Sequence, residues 1–115
     1  MLVNLTPHHL VLRPEVGMDV VLPPSGTVAR VSSTPGALST VPDIPVPVAG
    51  ATTYGAVEGL PDAVEGTIYI VSALVLGALK GTGRFDVLAP GTGPNDNPVR
   101  NEKGQIAAVT RLVRF

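Results

Sequence analysis

The sequence predicts an α+β domain that is mostly β, built from short antiparallel or mixed strands with one short helix near residues 73–80. Three observations carry that prediction. Valine dominates the apolar residues, while Trp is absent and Phe and Tyr occur twice each; valine is stiff at χ1 and packs well on a pleated surface. Twelve Pro and thirteen Gly cut the 115 residues into short pieces, which suits tight turns better than a helix bundle. Only Ser72–Lys80 carries a start signal, an apolar run and a glycine stop in the right order for a helix. The length suits one domain, residues 1–115.

Taken in order, Leu2–Leu5 and His9–Leu12 read as short strands on either side of Thr6-Pro7-His8. Pro7 has no N–H for a ladder, so pairing must break there. Met18–Leu22 and Thr27–Ser32 read as a hairpin across the Pro-Pro-Ser-Gly turn at 23–26, and Ser33–Thr40 as a loop. Pro42, Pro45 and Pro47 bar the next segment from a central strand and leave an edge strand or polyproline II. Thr53–Val57 is a brief strand, followed by a turn at Glu58–Asp62. Thr67–Val71 is apolar on both faces, the pattern of a central covered strand. Ser72 suits the N-cap of a helix over Ala73–Lys80, and Gly81 its C′ stop. That helix is apolar nearly all round and is expected to be buried. Phe85–Leu88 is a further short strand. Asn101–Gly104 reads as the turn between Pro98–Arg100 and a long, alternating terminal strand over Gln105–Arg114. The total expected is seven to nine strands, the sheet partly closed.

Charge is sparse, at 15% of residues, below the average of about 25%. A lightly charged surface points to a homo-oligomer or a face covered by a partner; the plain alternative is a monomer with a surface rich in Val, Ala and Thr. The C-terminal stretch holds Arg100, Lys103, Arg111 and Arg114 against Glu102 alone. Without an aromatic platform those cations make a poor nucleic-acid footprint, and an outward-facing terminal strand accounts for them. Nucleic acid is therefore not an expected partner. Absence of Cys removes disulfide and thiolate–metal chemistry. No charged segment precedes an apolar one at the N-terminus, and the longest apolar run, Ile68–Leu79, is too short for a bilayer. The expectation is a cytoplasmic protein with no membrane partner and no cofactor.

The chemistry-bearing candidates are few. A helix start at Ser72 offers free N–H groups, and its hydroxyl adds a donor for an anion; the plain alternative is that Ser72 only caps the helix. Asn4, Thr6 and His8 share one strand parity and could line a polar face, or could satisfy the backbone of the turn at Pro7. His8 and His9 point to opposite sides of a strand and cannot chelate one metal, so no metal site is expected. Lys80-Gly81-Thr82-Gly83-Arg84 follows its helix, whereas a phosphate-cradling loop precedes one. Lys80 and Arg84 therefore lie at the far end from Ser72 and need a returning loop or a second subunit to join it. Glu58, Asp62 and Glu65 cluster at a turn where carboxylates are ordinarily solvated. No catalytic motif is present, and no catalytic residue is assigned.

Asn4-Leu5-Thr6-Pro7-His8, Tyr54–Pro61 (YGAVEGLP), Tyr69-Ile70-Val71-Ser72, Val99–Glu102 and Gly104-Gln105-Ile106 together resemble a family of small uncharacterised proteins from phages, prophages and actinobacteria. The loop GTGPNDNP at 91–98 and His9 depart from that pattern. The resemblance implies a phage or mobile-element setting, where small proteins sequester nucleotide immune signals. The leading expectation is thus a non-enzymatic protein binding an anionic, nucleotide-like ligand through Asn4, Thr6, His8 and Ser72, with Arg84 and Arg100 as phosphate contacts. The alternative is a phage structural or accessory subunit that works by protein contact and takes no small ligand. The first reading requires the Asn4–His8 segment and Ser72 to meet beside a void.

Overall fold

A computed structural model describes residues 1–115 as twelve short strands and one helix. The chain is mostly β with one short helix, as the valine and glycine/proline usage predicts, and its sheets do not close into a barrel. The centre is a four-stranded mixed sheet in the order β1 (Leu2–Asn4), β8 (Ile68–Ile70), β9 (Val87–Pro90), β12 (Leu112–Val113). β8 runs parallel to both β1 and β9, and β12 closes the edge antiparallel to β9. Four smaller pairs surround it: β2 (Leu10–Leu12) with β3 (Val20–Leu22), β4 (Arg30–Thr34) with β7 (Thr53–Glu58), β5 (Leu38–Ser39) with β6 (Val48–Ala49), and β10 (Val99–Arg100) with β11 (Ile106–Ala108).

The Tyr-Ile-Val run becomes the central strand because both of its faces are apolar. Ile70 and Val71 are fully buried and Tyr69 nearly so, and the Tyr69 hydroxyl still reaches the Asp62 carbonyl (3.2 Å). α1 (Ala73–Ala78) follows directly. Ser72 caps it, its Oγ accepting from the Val75 N–H at 3.3 Å, and Gly81 ends the segment with φ of 83°, a conformation open to glycine at no cost. The helix is not buried all round. Val75, Leu76 and Leu79 pack with Leu5, Tyr69, Val71, Val87 and Ala89 in the one core cluster, while Leu74 and Gly77 face water. Six residues make under two turns, so only one stripe can meet the sheet.

Three expectations about pairing are corrected. Met18–Leu22 does not pair with Thr27–Ser32; β3 pairs with β2, and β4 pairs with the distant β7. Ser25 and Ala29 instead donate to the Asn4 and Leu5 carbonyls, so this stretch crosses the outer edge of β1. The terminal run is not one long strand. β11 ends at Ala108 and β12 begins at Leu112, because Thr110 turns aside to bond the Asp96 and Asn97 carbonyls (3.2 and 2.9 Å). The segment Ser33–Thr40, read as a loop, supplies the end of β4 and all of β5.

β4 to β7 form one projecting arm. From Ser32 to Ala56 every residue except Gly36 is exposed. The ladder slips by one residue between Val31 and Ser33, a bulge that bends a strand pair. It breaks again where Gly36 lies against the Gly50 backbone, a contact that leaves no room for a side chain. The molecule consequently measures 57 × 38 × 23 Å with a radius of gyration of 17.3 Å, against about 13 Å for a compact chain of this length.

Candidate functional site

The Asn4–Thr6 turn is held by one side chain. Asn4 is 3% exposed. Its Nδ2 donates to the His8 and Leu22 carbonyls (2.8 and 3.0 Å), and its Oδ1 accepts from the Thr6 N–H and the Thr6 hydroxyl (2.9 and 2.7 Å). An asparagine amide has two donors and about two acceptor sites, so nothing remains for a ligand. Asn4 ties the turn at Pro7 to the end of β3. The Pro7 break in the ladder creates the need for it, since the carbonyls there have no strand partner.

Thr6 and Ser72 do meet. Both border an open cleft of about 460 Å³ whose other walls are Leu5, Pro7, Leu74 and the root of the arm at Val28–Ser32. A second hollow of about 360 Å³ lies beside it, bordered by Thr6, His8, Ser72 and Thr92. The N-terminal turn, the helix start and the arm root therefore converge at one corner. Ser72 is exposed there while keeping its capping bond. Every buried side-chain nitrogen and oxygen already has a partner within the chain, so no orphaned polar atom is aimed into the corner.

The two expected phosphate contacts lie elsewhere. Arg84 chelates the Asp86 carboxylate (2.9 and 3.0 Å) and donates to the Pro61 carbonyl (2.9 Å). It borders a different hollow, with Glu65 and Asp86. That pairing raises the Arg84 pKa and lowers that of Asp86, in each case chiefly through the hydrogen bonds between them and against a smaller opposing effect of burial. Arg100 stands on β10 and donates to the Gly104 carbonyl across the hairpin turn (2.8 Å). Neither borders the Ser72 corner. No group of His, Asp and Glu side chains is arranged to hold a metal.

No family model, curated protein or solved structure matches this chain. The site must therefore be read from its own residues. The cation at the Ser72 cleft is Arg30, whose cross-strand neighbour is Glu58. The sequence shows Arg30 only as one polar position in an alternating run. Its place at the cleft follows from β4 pairing with β7, which no local signal announces. Chemically the corner is an open, half-apolar cleft with hydroxyls, one arginine and one glutamate. The Thr6 and Ser72 hydroxyls bond within their own turn and cap and not to Glu58.

The strongest feature outside the cleft is the arm that forms one of its walls. Leu38 is 71% exposed and Val46 61%, and Ile44 and Tyr54 also face water. Residues 31–57 hold a single charged side chain, Asp43. No helix is long and apolar enough to cross a membrane.

Proposed function

We propose that the protein is a non-enzymatic interaction subunit of phage or mobile-element type that joins its assembly through the hairpin arm. A cytoplasmic setting belongs to the same reading. The observation that carries it is the arm itself, uncharged over 31–57 but for Asp43 and apolar at Leu38, Ile44, Val46 and Tyr54. An element that works in water alone keeps charges on such a surface. A two-stranded ribbon is also marginal by itself and needs a further strand or layer against it.

Hydrogen exchange tests the reading on tagged chain isolated from its native cells. Amides of residues 31–57 are expected to exchange at least about tenfold more slowly than a free two-stranded ribbon allows. Exchange at the rate of an open ribbon would remove this function.

A second reading has one observation in its favour: Thr6, Ser72 and Arg30 share a cleft of about 460 Å³, within the range of small-molecule sites. It assigns the protein to sequestering an anionic, nucleotide-like molecule, with Arg30 in the role expected of Arg84 and Arg100. A thermal-shift panel of linear and cyclic nucleotides checks it. A true ligand at a hundred times its Kd adds about 2.7 kcal/mol, a rise of several degrees that Arg30→Ala abolishes. A flat response across the panel discards it.

A further inference from the structure

The partner that covers the arm follows from area and supply, given that the arm is an interaction element. The chain exposes 7922 Å², whereas a compact monomer of 11.8 kDa exposes about 5,900 Å². The excess is about 2,000 Å² per chain. Standard interfaces bury about 800 Å² per partner, and permanent ones from about 1,000 to 2,500 Å². That excess, summed over the whole chain, is of the size that partners staying together from folding onward bury. Only 15 of the 115 residues are buried, so the chain's own core is small and gains most from a permanent neighbour.

A permanent partner has to be present whenever the chain folds. The molecule guaranteed to be present is the chain itself. We infer that the arm is half of a homomeric interface and lies against a second copy of this protein. Two further features fit that occupant. β4 and β7 pair only with each other, which leaves the outer edge of each without a strand neighbour, and such edges accept strands from another chain. With Asp43 as the sole charge on 31–57 and a net charge of −1 overall, two copies approach against little like-charge repulsion. A two-fold arrangement presents the same patch on both sides and closes on itself.

Sedimentation equilibrium and light scattering on the full chain, at about 1–100 µM, give the decisive mass. A multiple of 11.8 kDa is expected. Two variants locate the interface. Thr34 pairs with Thr53, so replacing Pro35–Thr52 with Asn-Gly shortens the arm on a two-residue hairpin turn. The double variant Leu38→Lys, Val46→Lys keeps the arm and charges its exposed face. Both are expected to run as monomers with native far-UV circular dichroism. Should either variant fail to fold, the wild-type melting temperature still decides: it is expected to climb with protein concentration. A wild-type mass of 11.8 kDa throughout, a concentration-independent melting temperature, or a folded arm variant that keeps the wild-type mass overturns the inference. Arm protection in native cells beside a monomeric wild-type chain overturns it too and leaves the interaction reading standing. An unprotected arm removes both.

Discussion

Asn4 shows how a single amide can hold two distant segments. Its four hydrogen bonds join Thr6, His8 and Leu22, and truncation to alanine removes two buried bonds to Thr6 and two part-buried ones to the His8 and Leu22 carbonyls. Each buried polar group left without a partner costs about 1–3 kcal/mol. We expect Asn4→Ala to lose at least about 3 kcal/mol by urea unfolding, and Asn4→Asp to fare little better because it lacks the two donors. A loss below about 1 kcal/mol would show the turn to be held by other means. Arg84 and Asp86 are a second residue-scale test. The Asp86 pKa is lowered in the folded chain, first by the Arg84 hydrogen bond. A depressed folded-state value means that the stabilisation is fully present above the unfolded value of about 3.9 and fades as pH falls through the lower folded one. Arg84→Met is expected to cost about 1 kcal/mol at neutral pH, and the gap between variant and wild type should narrow as pH falls through the lowered Asp86 value. A gap that stays constant with pH would assign the loss to packing.

At the scale of the element, α1 is the piece most legible in advance. Ser72 as cap, the apolar run and Gly81 as stop are local signals, and local signals set local structure. The helix is one residue short of two full turns, ending at Ala78 where Lys80 was expected, since the end of a short helix tightens and frays. Gly77 stands on its exposed side, and a Cβ placed there meets nothing. Gly77→Ala is therefore expected to stabilise the chain by about 0.5–1 kcal/mol, read as a melting temperature higher by a few degrees. Gly59 is the opposite case. It has φ of 82° and its missing side chain would strike the Val28 carbonyl. Gly59→Ala should cost more than about 1 kcal/mol and loosen the arm root. The terminal run departs from its sequence pattern for a different reason. Residues 106–114 read as one strand with apolar side chains on both faces, yet Thr110 finds partners in the 91–98 loop and splits the run between two sheets. Alternation measures only what each face could bury and is blind to a side-chain bond from far along the chain.

For the whole molecule the deciding fact is shape. The low charge raises the expectation of a covered surface, and the longest run of exposed, nearly uncharged residues is the arm. In the proposed assembly, the composition of the arm sets what holds the copies together. An interface with one charge per copy on 31–57 owes little to ion pairs, so its affinity should change less than about threefold between low and high salt. Sedimentation at about 0.05 and 0.5 M NaCl measures this. A strong weakening by salt would move the interface to the C-terminal arginines. The cleft sits at the arm root, so the Arg30–Glu58 register and the arm share one set of hydrogen bonds. In the proposed assembly, covering the arm would also steady one wall of the cleft.

By itself the amino-acid order determined the strand-rich class, the two-sided central strand at Ile68–Ile70, the Ser72-capped helix and the Asn101–Gly104 turn. All of these rest on interactions within a few residues or on the period of burial. The meeting of Thr6 with Ser72, the pairing of β4 with β7, and the projection of the arm were decided only by tertiary structure. Each depends on segments tens of residues apart choosing one another, and that choice is set by backbone hydrogen bonds and packing that carry no sequence-local mark. The arginines show the difference most plainly: charge and spacing pointed to Arg84 and Arg100, and the chain path brought Arg30 to the cleft instead.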